Sequence, residues 1–364
     1  MNKVVHSDAT DSPIETLEDG LVAWPNHEAA ENSEVNMFLR LRGRLTDESG
    51  QSFADFKAGL RPRYYRVWIQ TTLAYTGILL AGLLLARIPV AELPWWQTFL
   101  IVAFLSIFIG YLVAFIALWL HEAAHYNVHR DRAWNDRLGT LFFGVIILHH
   151  VRQYRQIHNL HHRNFGNIND SEQSYFSELN IRFIFDSLTG LRVLRVILAR
   201  KRTEQARQEP APNTPAYTNW ALPAGALLHG SIVVGSLYLQ CYALTVGWLF
   251  GVFVAYPFFG AIRQVLEHRR PDADASCDYS KRAHGQYTRV FDGGLFASTF
   301  GGAGFNRHLI HHWDPGISCT CFKEVEQFLL RSQLHDFYAS RQTNYKATFV
   351  LLMSEHARSH ASNP

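Results

Sequence analysis

The chain has 364 residues, 48% of them hydrophobic and 13% aromatic, and a formal net charge of +3. With so small a charge, and no run of Lys or Arg interleaved with aromatics, there is no basis for a nucleic-acid partner. The mean hydropathy of −0.07 averages long apolar blocks with polar, histidine-rich ones, which is the pattern of a membrane protein and not of two soluble domains.

Residues 1–66 are polar and read as a cytosolic N-terminal segment with a short amphipathic helix near Asn36 to Arg44 and no catalytic role. With Asp8, Asp11, Glu15 and Glu18 ahead of any apolar run, they do not have the basic start and apolar core of a signal peptide. A membrane domain is expected over residues 67–330. Val67 to Ala86 is uncharged for 20 residues, enough for a first span at 67–86. After Arg87 and Pro94, Trp95 to Leu120 is uncharged for 26 residues, so a second span at 95–120 can cross and still carry His121 past the headgroups. Leu138 to Leu148, apolar for only 11 residues, suits an interfacial or half-buried helix. From Ile181 to Arg202, Arg192, Arg195 and Arg202 share one stripe and Ile184, Leu188, Leu191 and Leu198 another, the pattern of a basic amphipathic helix on a membrane surface. Gln208 to Pro215, with three prolines, reads as a linker. Tyr217 to Ile262 has no Asp, Glu, Lys or Arg over 46 residues and fits two spans, at 217–239 and 244–262, with a turn near Gln240 to Gly247. Residues 331–364 read as a cytosolic C-terminal helix and tail. The expected class is therefore an all-α integral membrane protein with four transmembrane helices in two hairpins under a helical cap.

Arg40, Arg42, Arg61, Arg63 and Arg66 precede or open the first span, whereas the link between spans one and two has only Arg87 and that between spans three and four has none. This bias puts both termini, and with them every histidine-rich stretch, on the cytosolic side. Four cysteines (Cys241, Cys277, Cys319, Cys321) form no Cys-x-x-Cys pair, and Cys319 and Cys321 are too close for an easy bridge, in keeping with a reducing setting.

Three stretches carry the chemistry. His121 and His125 in HEAAH are four apart and share one helical face; His158, His161 and His162 in HNLHH, and His308, His311 and His312 in HLIHH, repeat the device. A lone pair of this kind is more often a surface coincidence, but three on one membrane face are not. Eight imidazoles exceed what one tetrahedral zinc can use, so two metal ions are implied, with His268 in RQVLEH as a natural ninth donor. Glu122, Asp170, Glu172, Glu267 and Asp314 are interleaved, placed to accept the spare imidazole N–H groups, and Gln264 could hold a water. HEAAH also satisfies the zinc-protease pattern, with Glu122 as base and Phe291-Asp292-Gly293 as a third-ligand loop, but that reading leaves six histidines unused. A metal carrier would want histidines within the spans, where only His229 lies; it reads as a hydrogen-bonded interior residue. His129 falls outside the donor set, His149 and His150 read as interfacial packing, and His284, His335, His356 and His360 as solvated. Arg152, Arg155 and the Arg192 face are candidates to meet lipid phosphates or an acidic electron carrier.

HEAAH followed by Trp134-Asn135-Asp136, then HNLHH, then Asn306-x-HLIHH-x-x-Pro315, resembles the membrane fatty acid desaturase family in order and spacing, over about Val67 to Leu330. The resemblance implies four transmembrane helices under a cytosolic cap that holds a histidine-ligated di-iron centre, and O2-dependent oxidation of an unactivated C–H bond on a lipid or acyl chain. Electrons would come from a ferredoxin, cytochrome b5 or similar carrier. By motif position the iron ligands would be His121, His125, His158, His161, His162, His308, His311 and His312, with His268 as the isolated extra histidine and Asn306 among the supporting residues. Gln264 departs from the pattern, because some relatives have an Asn there that holds an iron-bound water. Zinc has no redox chemistry, so iron suits such an oxidation. Desaturation is expected, with hydroxylation on the same scaffold as the alternative.

Overall fold

A computed structural model describes residues 34–195, 198, 219–274 and 276–361. The expected linker at 208–215 and Arg202 lie outside them, as do the side chains of His356 and His360. Helices α1 (Glu34–Leu41) and α2 (Phe53–Gly59) precede α3 (Tyr64–Ala86) and α4 (Trp95–Ala124). Pro94, whose ring fixes φ near the observed −53°, starts α4, where its missing N–H costs nothing. At 30 residues α4 is about 45 Å long, against a hydrocarbon core of about 30 Å. It therefore extends past the expected end at Leu120 and carries His121 in its last turn, with His125 as its cap.

Asp131 caps α5 (Arg132–Gly139) by accepting the Trp134 N–H at 2.8 Å. The chain then winds without a break through a π turn (Thr140–Gly144) and a 3-10 turn (Val145–Ile147), ending at Leu148 with φ 64°. Leu138 to Leu148 is thus half-buried, as expected, but winds as π and 3-10 turns and not as one regular helix. The change of winding lets it pack inside the bundle, where the Trp68 ring stacks on Phe143 at 5.6 Å and the Tyr75 hydroxyl donates to the Phe142 carbonyl. A Cβ on Gly144 would lie 2.0 Å from the His149 carbonyl oxygen, and one on Gly225 2.3 Å from that of Val145.

Next come α6 (Val151–Asn164) and α7 (Ile181–Leu188). The continuous helix expected from Ile181 to Arg202 is interrupted after Leu188, because Gly190 adopts φ +77°; residues 191–195 are helical again. Ile181 and Phe185 keep an exposed apolar face, but Arg192 turns inward and is not on a solvent stripe.

Helix α8 (Ala221–Tyr238) is joined by a tight turn at Gln240 (φ 60°) to α9 (Tyr242–Phe250), which continues through a π turn (Gly251–Ala255) into α10 (Tyr256–His268). The turn is shorter than the expected Gln240 to Gly247. His229 is an interior residue, accepting from the Trp248 indole N–H at 3.2 Å and lying 3.1 Å from the Ile146 carbonyl oxygen. Four helical runs, α3, α4, α8 and α9–α10, are long and apolar enough to cross a membrane. Leu73, Phe104 and Leu227 on them are 65–72% exposed, part of an apolar outer surface too extensive for a water-facing wall.

Helix α4 is the axis of the bundle, with Leu105, Ile109, Val113, Ile116 and Leu120 buried along one face. The remaining elements are β1 (Val290–Phe291), α11 (Gly294–Phe300), a 3-10 turn at Gly302–Arg307, α12 (His308–Trp313), α13 (Phe322–Leu329), α14 (His335–Ser340), β2 (Gln342–Thr343) and α15 (Tyr345–Ala361). β1 and β2 pair in parallel. The N-terminal helices fold against this region: the Phe38 ring stacks on Trp313 at 4.7 Å, and Phe53 packs edge-on against Phe328 at 5.5 Å.

Helix α4 and the α9–α10 run approach closely at Gly110, where a Cβ would lie 2.4 Å from that of Ala255 and 2.6 Å from the Gly251 carbonyl oxygen. Gly110→Leu should therefore lower the thermal unfolding temperature of the purified protein and its folded yield, since overpacking costs about 1–3 kcal/mol or more. Gly230→Leu, with nothing within 4 Å of its Cβ, should leave both unchanged.

Candidate metal centre

The centre begins with the end of α4, whose last carbonyls have no helical partner. Asn135 donates its side-chain amide to the Ala123 carbonyl at 2.8 Å and accepts the Val128 N–H at 3.2 Å. Arg155 donates to the carbonyls of Ala124 at 2.6 Å and Ala123 at 3.1 Å, and Asp136 holds the same guanidinium at 2.5 Å. Trp134-Asn135-Asp136 is thus a capping device that fixes where His121 and His125 point, and Arg152 and Arg155 both serve Asp136.

Helix α6 brings the second stretch alongside. His150 caps it by accepting the Arg152 N–H at 3.1 Å. His158 Nδ1 lies 2.8 Å from Glu172 Oε1, and His161 Nδ1 2.8 Å from Asp170 Oδ1. In each pair the ring N–H donates to the carboxylate, which leaves Nε2 with a free lone pair. Asp170 is locked in turn by the Tyr175 hydroxyl at 2.5 Å and the Glu172 N–H at 2.8 Å, and Gln264 donates to Glu172 Oε2 at 2.7 Å. Helix α12 supplies the third stretch, after a 3-10 turn in which Ala303 and Gly304 take positive φ.

All nine predicted donors converge. The nitrogens of His121, His125, His158, His162 and His311 form one group lying within 4.8 Å of one another; His161, His268 and His312 form a second, and Glu267, His268 and His308 a third that shares His268 with it. Nε2 of His162 is 2.9 Å from that of His158 and 3.0 Å from that of His311; Nε2 of His308 is 3.0 Å from that of His268 and 3.1 Å from that of His312. One N–H cannot satisfy so many facing lone pairs, and both ring nitrogens of buried His121 have no hydrogen-bond partner. Cations seated among the Nε2 atoms would relieve the facing lone pairs and give His121 Nε2 a partner, so these residues fit bound metal.

Burial, reinforced by the facing imidazoles, pushes His125, His162, His308, His311 and His312 well below the ordinary histidine value, into the neutral form a metal requires. Burial lowers His158 too. His161 is the exception: burial opposes its charge, but Glu172 and Asp170 outweigh burial and raise it. Burial alone would raise Glu172, yet His161 and His158 hold it well below the usual carboxylate range.

The other predicted neighbours divide. Glu122 Oε1 stands 3.5 Å from His121 Nδ1 and 3.7 Å from His311 Nδ1, while its other oxygen accepts from the Cys319 N–H and Asn127 at 3.2 Å each. So tied, and facing Nδ1, it is badly placed as a protease base, and exposed Asp292 lies outside the donor groups. Glu267 pairs with Arg263 at 3.1 Å and approaches His308 Nε2 at 3.9 Å. Asn306 closes the 3-10 turn through its N–H to the Gly301 carbonyl. Asp314 does not serve an imidazole: α12 ends before it, its backbone (φ −146°, ψ 81°) turns away, and its carboxylate pairs with Lys57 at 2.5 Å. His129 bonds its own loop at Asp131, apart from the centre, and His335 is exposed. His284, expected in solvent, is buried, stacked on Phe176 at 5.7 Å and pushed down to about 3 by burial. Tyr175 and His284 carry no motif, and only the three-dimensional packing reveals them.

A cavity of about 620 Å³ opens onto the centre. His121, His158, His161, His268 and His308 form one part of its wall; Tyr111, Phe115 and Leu118 of α4 and Tyr256 and Phe259 of α10 form an apolar part.

The sequence model of the family described as fatty acid desaturase matches residues 94–345, more than two thirds of the chain. The chain belongs to the fatty acid desaturase family. Comparison with curated proteins gives no match. Membership makes this desaturase-family protein an oxidoreductase of the desaturase or hydroxylase type that associates with membranes and takes a lipid substrate. The family is one that uses iron, and the histidine clusters could bind it.

Because Glu172 fixes the His158 ring, Glu172→Ala should weaken metal retention about 10–100-fold, read as metal per chain after dialysis against graded chelator. His129→Ala should retain metal as the parent protein does.

Proposed function

We propose that this chain is an O2-dependent di-iron desaturase of fatty acyl or similar lipid chains, crossing the membrane four times with termini and active centre on the cytosolic side. The observation that carries this reading is the convergence of nine imidazoles, seven of them buried, in clusters of which five rings line a largely apolar cavity between candidate spans. His121, His125, His158, His162 and His311 would hold one iron, and His161, His268, His308 and His312 the other. The bound pair would supply the redox chemistry that activates O2, which no side chain here provides.

The protein's own work is positional. Asp170 and Glu172 hold the His161 and His158 rings by their N–H groups, and Glu122 spans the first and third stretches. Phe115, Leu118, Tyr256 and Phe259 give a methylene chain an apolar wall beside the imidazoles and keep bulk water from the oxidant. A cavity of about 620 Å³ falls within the ~300–1,000 Å³ range of small-molecule sites. Desaturation removes two hydrogens from adjacent carbons while O2 takes those hydrogens, two protons and two electrons to become two waters, so an electron carrier such as a ferredoxin or cytochrome b5 is required.

The purified protein should contain about two irons per chain; one zinc and no iron would refute the di-iron reading. His161→Ala and His311→Ala should abolish turnover, whereas His129→Ala should keep measurable activity. Supplied with an electron carrier, ¹⁸O2 and a saturated chain deuterated at the target carbons, the enzyme should give an alkene that has lost two deuteriums and carries no ¹⁸O. A product with stable ¹⁸O and one deuterium lost would make it a hydroxylase.

A further inference from the structure

The cavity wall contains two guanidinium groups. Arg263 has its charge paired, with Nε 3.1 Å from Glu267 Oε1, although that contact has no hydrogen-bond geometry, and its guanidinium lies over the Phe305 ring at 4.3 Å. Arg192 is different. The break at Gly190 turns it inward, over the Phe183 ring at 4.1 Å, and one terminal nitrogen donates to the Ser174 carbonyl at 3.0 Å and to Ser177 Oγ at 3.2 Å. Its Nε is buried with no hydrogen-bond partner. Asp186 attracts Arg192, but it is itself bound by Arg195 and stands 3.8 Å from Arg182, so Arg192 shares its field with two other guanidiniums. Burial brings Arg192 down to about 10, which still leaves it cationic at neutral pH. Ser174 and Ser187 complete this polar corner, and the adjoining wall, through Leu222 and Phe115 to Tyr256, is apolar.

A half-buried cation with a buried, unused donor beside an apolar wall is costly unless an anion completes it. We propose that the cavity takes an amphiphile with an anionic head, a carboxylate or a phosphate, and that Arg192 binds this head while the chain lies along the apolar wall toward the histidines. Arg192 is then a specificity residue that separates headed lipids from bare hydrocarbons. The proposal rests on the chain being a lipid oxidoreductase, but its test does not require turnover.

The full-length protein in zwitterionic nanodiscs would be titrated with palmitic acid, its methyl ester, hexadecyl phosphate and hexadecane. At least one anionic probe should bind about tenfold or more tightly than the ester and the hydrocarbon, since charge-assisted hydrogen bonds are the strong ones. Arg192→Gln should erase that preference without changing hexadecane binding, and Arg192→Lys, which keeps the charge but not the fork, should keep part of it. Palmitate ahead of hexadecyl phosphate assigns a carboxylate head, and the reverse a phosphate head. Equal binding of acid, phosphate and ester, or an undiminished preference in Arg192→Gln, would overturn the proposal. If Arg192→Gln does not fold, an undiminished preference in Arg192→Lys together with equal use of hexadecane overturns it. Failure of the parent protein to oxidise any chain would tell against the enzymatic reading and leave these binding results standing.

Discussion

The structure is arranged around bringing nine imidazoles together, most of them held in the neutral form, at the end of an apolar bundle. Neutral rings with Nε2 atoms about 3 Å apart repel through their lone pairs, and protonating them would set positive charges side by side in a buried site. A cluster of this kind is stable only if the rings cannot turn away and if cations occupy the space between them. The chain meets the first condition itself: carboxylates hold the His158 and His161 rings, and the Tyr287 carbonyl, 3.3 Å from Nδ1, holds that of His268. The second condition would couple folding of the region that holds α6 and α12 to metal binding.

The same requirement explains the length of α4 and the way it ends. At 30 residues the helix is about 15 Å longer than a hydrocarbon core of about 30 Å, so its last turn, which carries His121, need not lie among the apolar residues that precede it. Its end cannot be left to water, because the cap covers it. Asn135 and Arg155 therefore bond the carbonyls that the helix leaves open, and Asp136 neutralises the arginine. The π turns act at the same level of detail: the one at Gly251 lets α9–α10 approach α4, where a Cβ would lie 2.9 Å from the Ser106 carbonyl oxygen, and the one ending at Gly144 lets the chain fold back so that the His149 N–H reaches the Gly144 carbonyl at 2.9 Å.

The four long apolar helices and the clustering of the histidines were legible in the sequence because both signals are local. Twenty uncharged residues declare a span wherever they occur, and imidazoles at i, i+3 and i+4 declare a shared face. What was hidden depends on contacts distant in sequence. Asp314 looks as well placed as Glu122 by spacing, yet α12 ends just before it and Lys57, 257 residues away, takes its carboxylate. His284 has no helical partner and is buried only because Gly166, at φ +78°, lets the loop at Gly285 approach to within a glycine's width. The basic stripe from Arg192 to Arg202 assumed an unbroken helix, and one glycine in the left-handed region was enough to redirect Arg192 into the cavity.

The pairing of Arg263 with Glu267 is the least economical feature of the centre. Two charges buried in α10 cost more in desolvation than their attraction returns, and a well-packed apolar pair would serve stability as well. Their placement gives them a different purpose. The Arg263 guanidinium lies over Phe305 at 4.3 Å, Phe305 stacks on the His308 ring at 4.7 Å, and Glu267 approaches His308 Nε2 at 3.9 Å. His308 is thus clamped from its face by the arginine acting through Phe305, and met at its edge by the carboxylate. His308 Nδ1 has no hydrogen-bond partner to orient its ring, unlike that of His158 or His161, so the ion pair supplies through stacking and charge the orientation that a carboxylate supplies directly on α6.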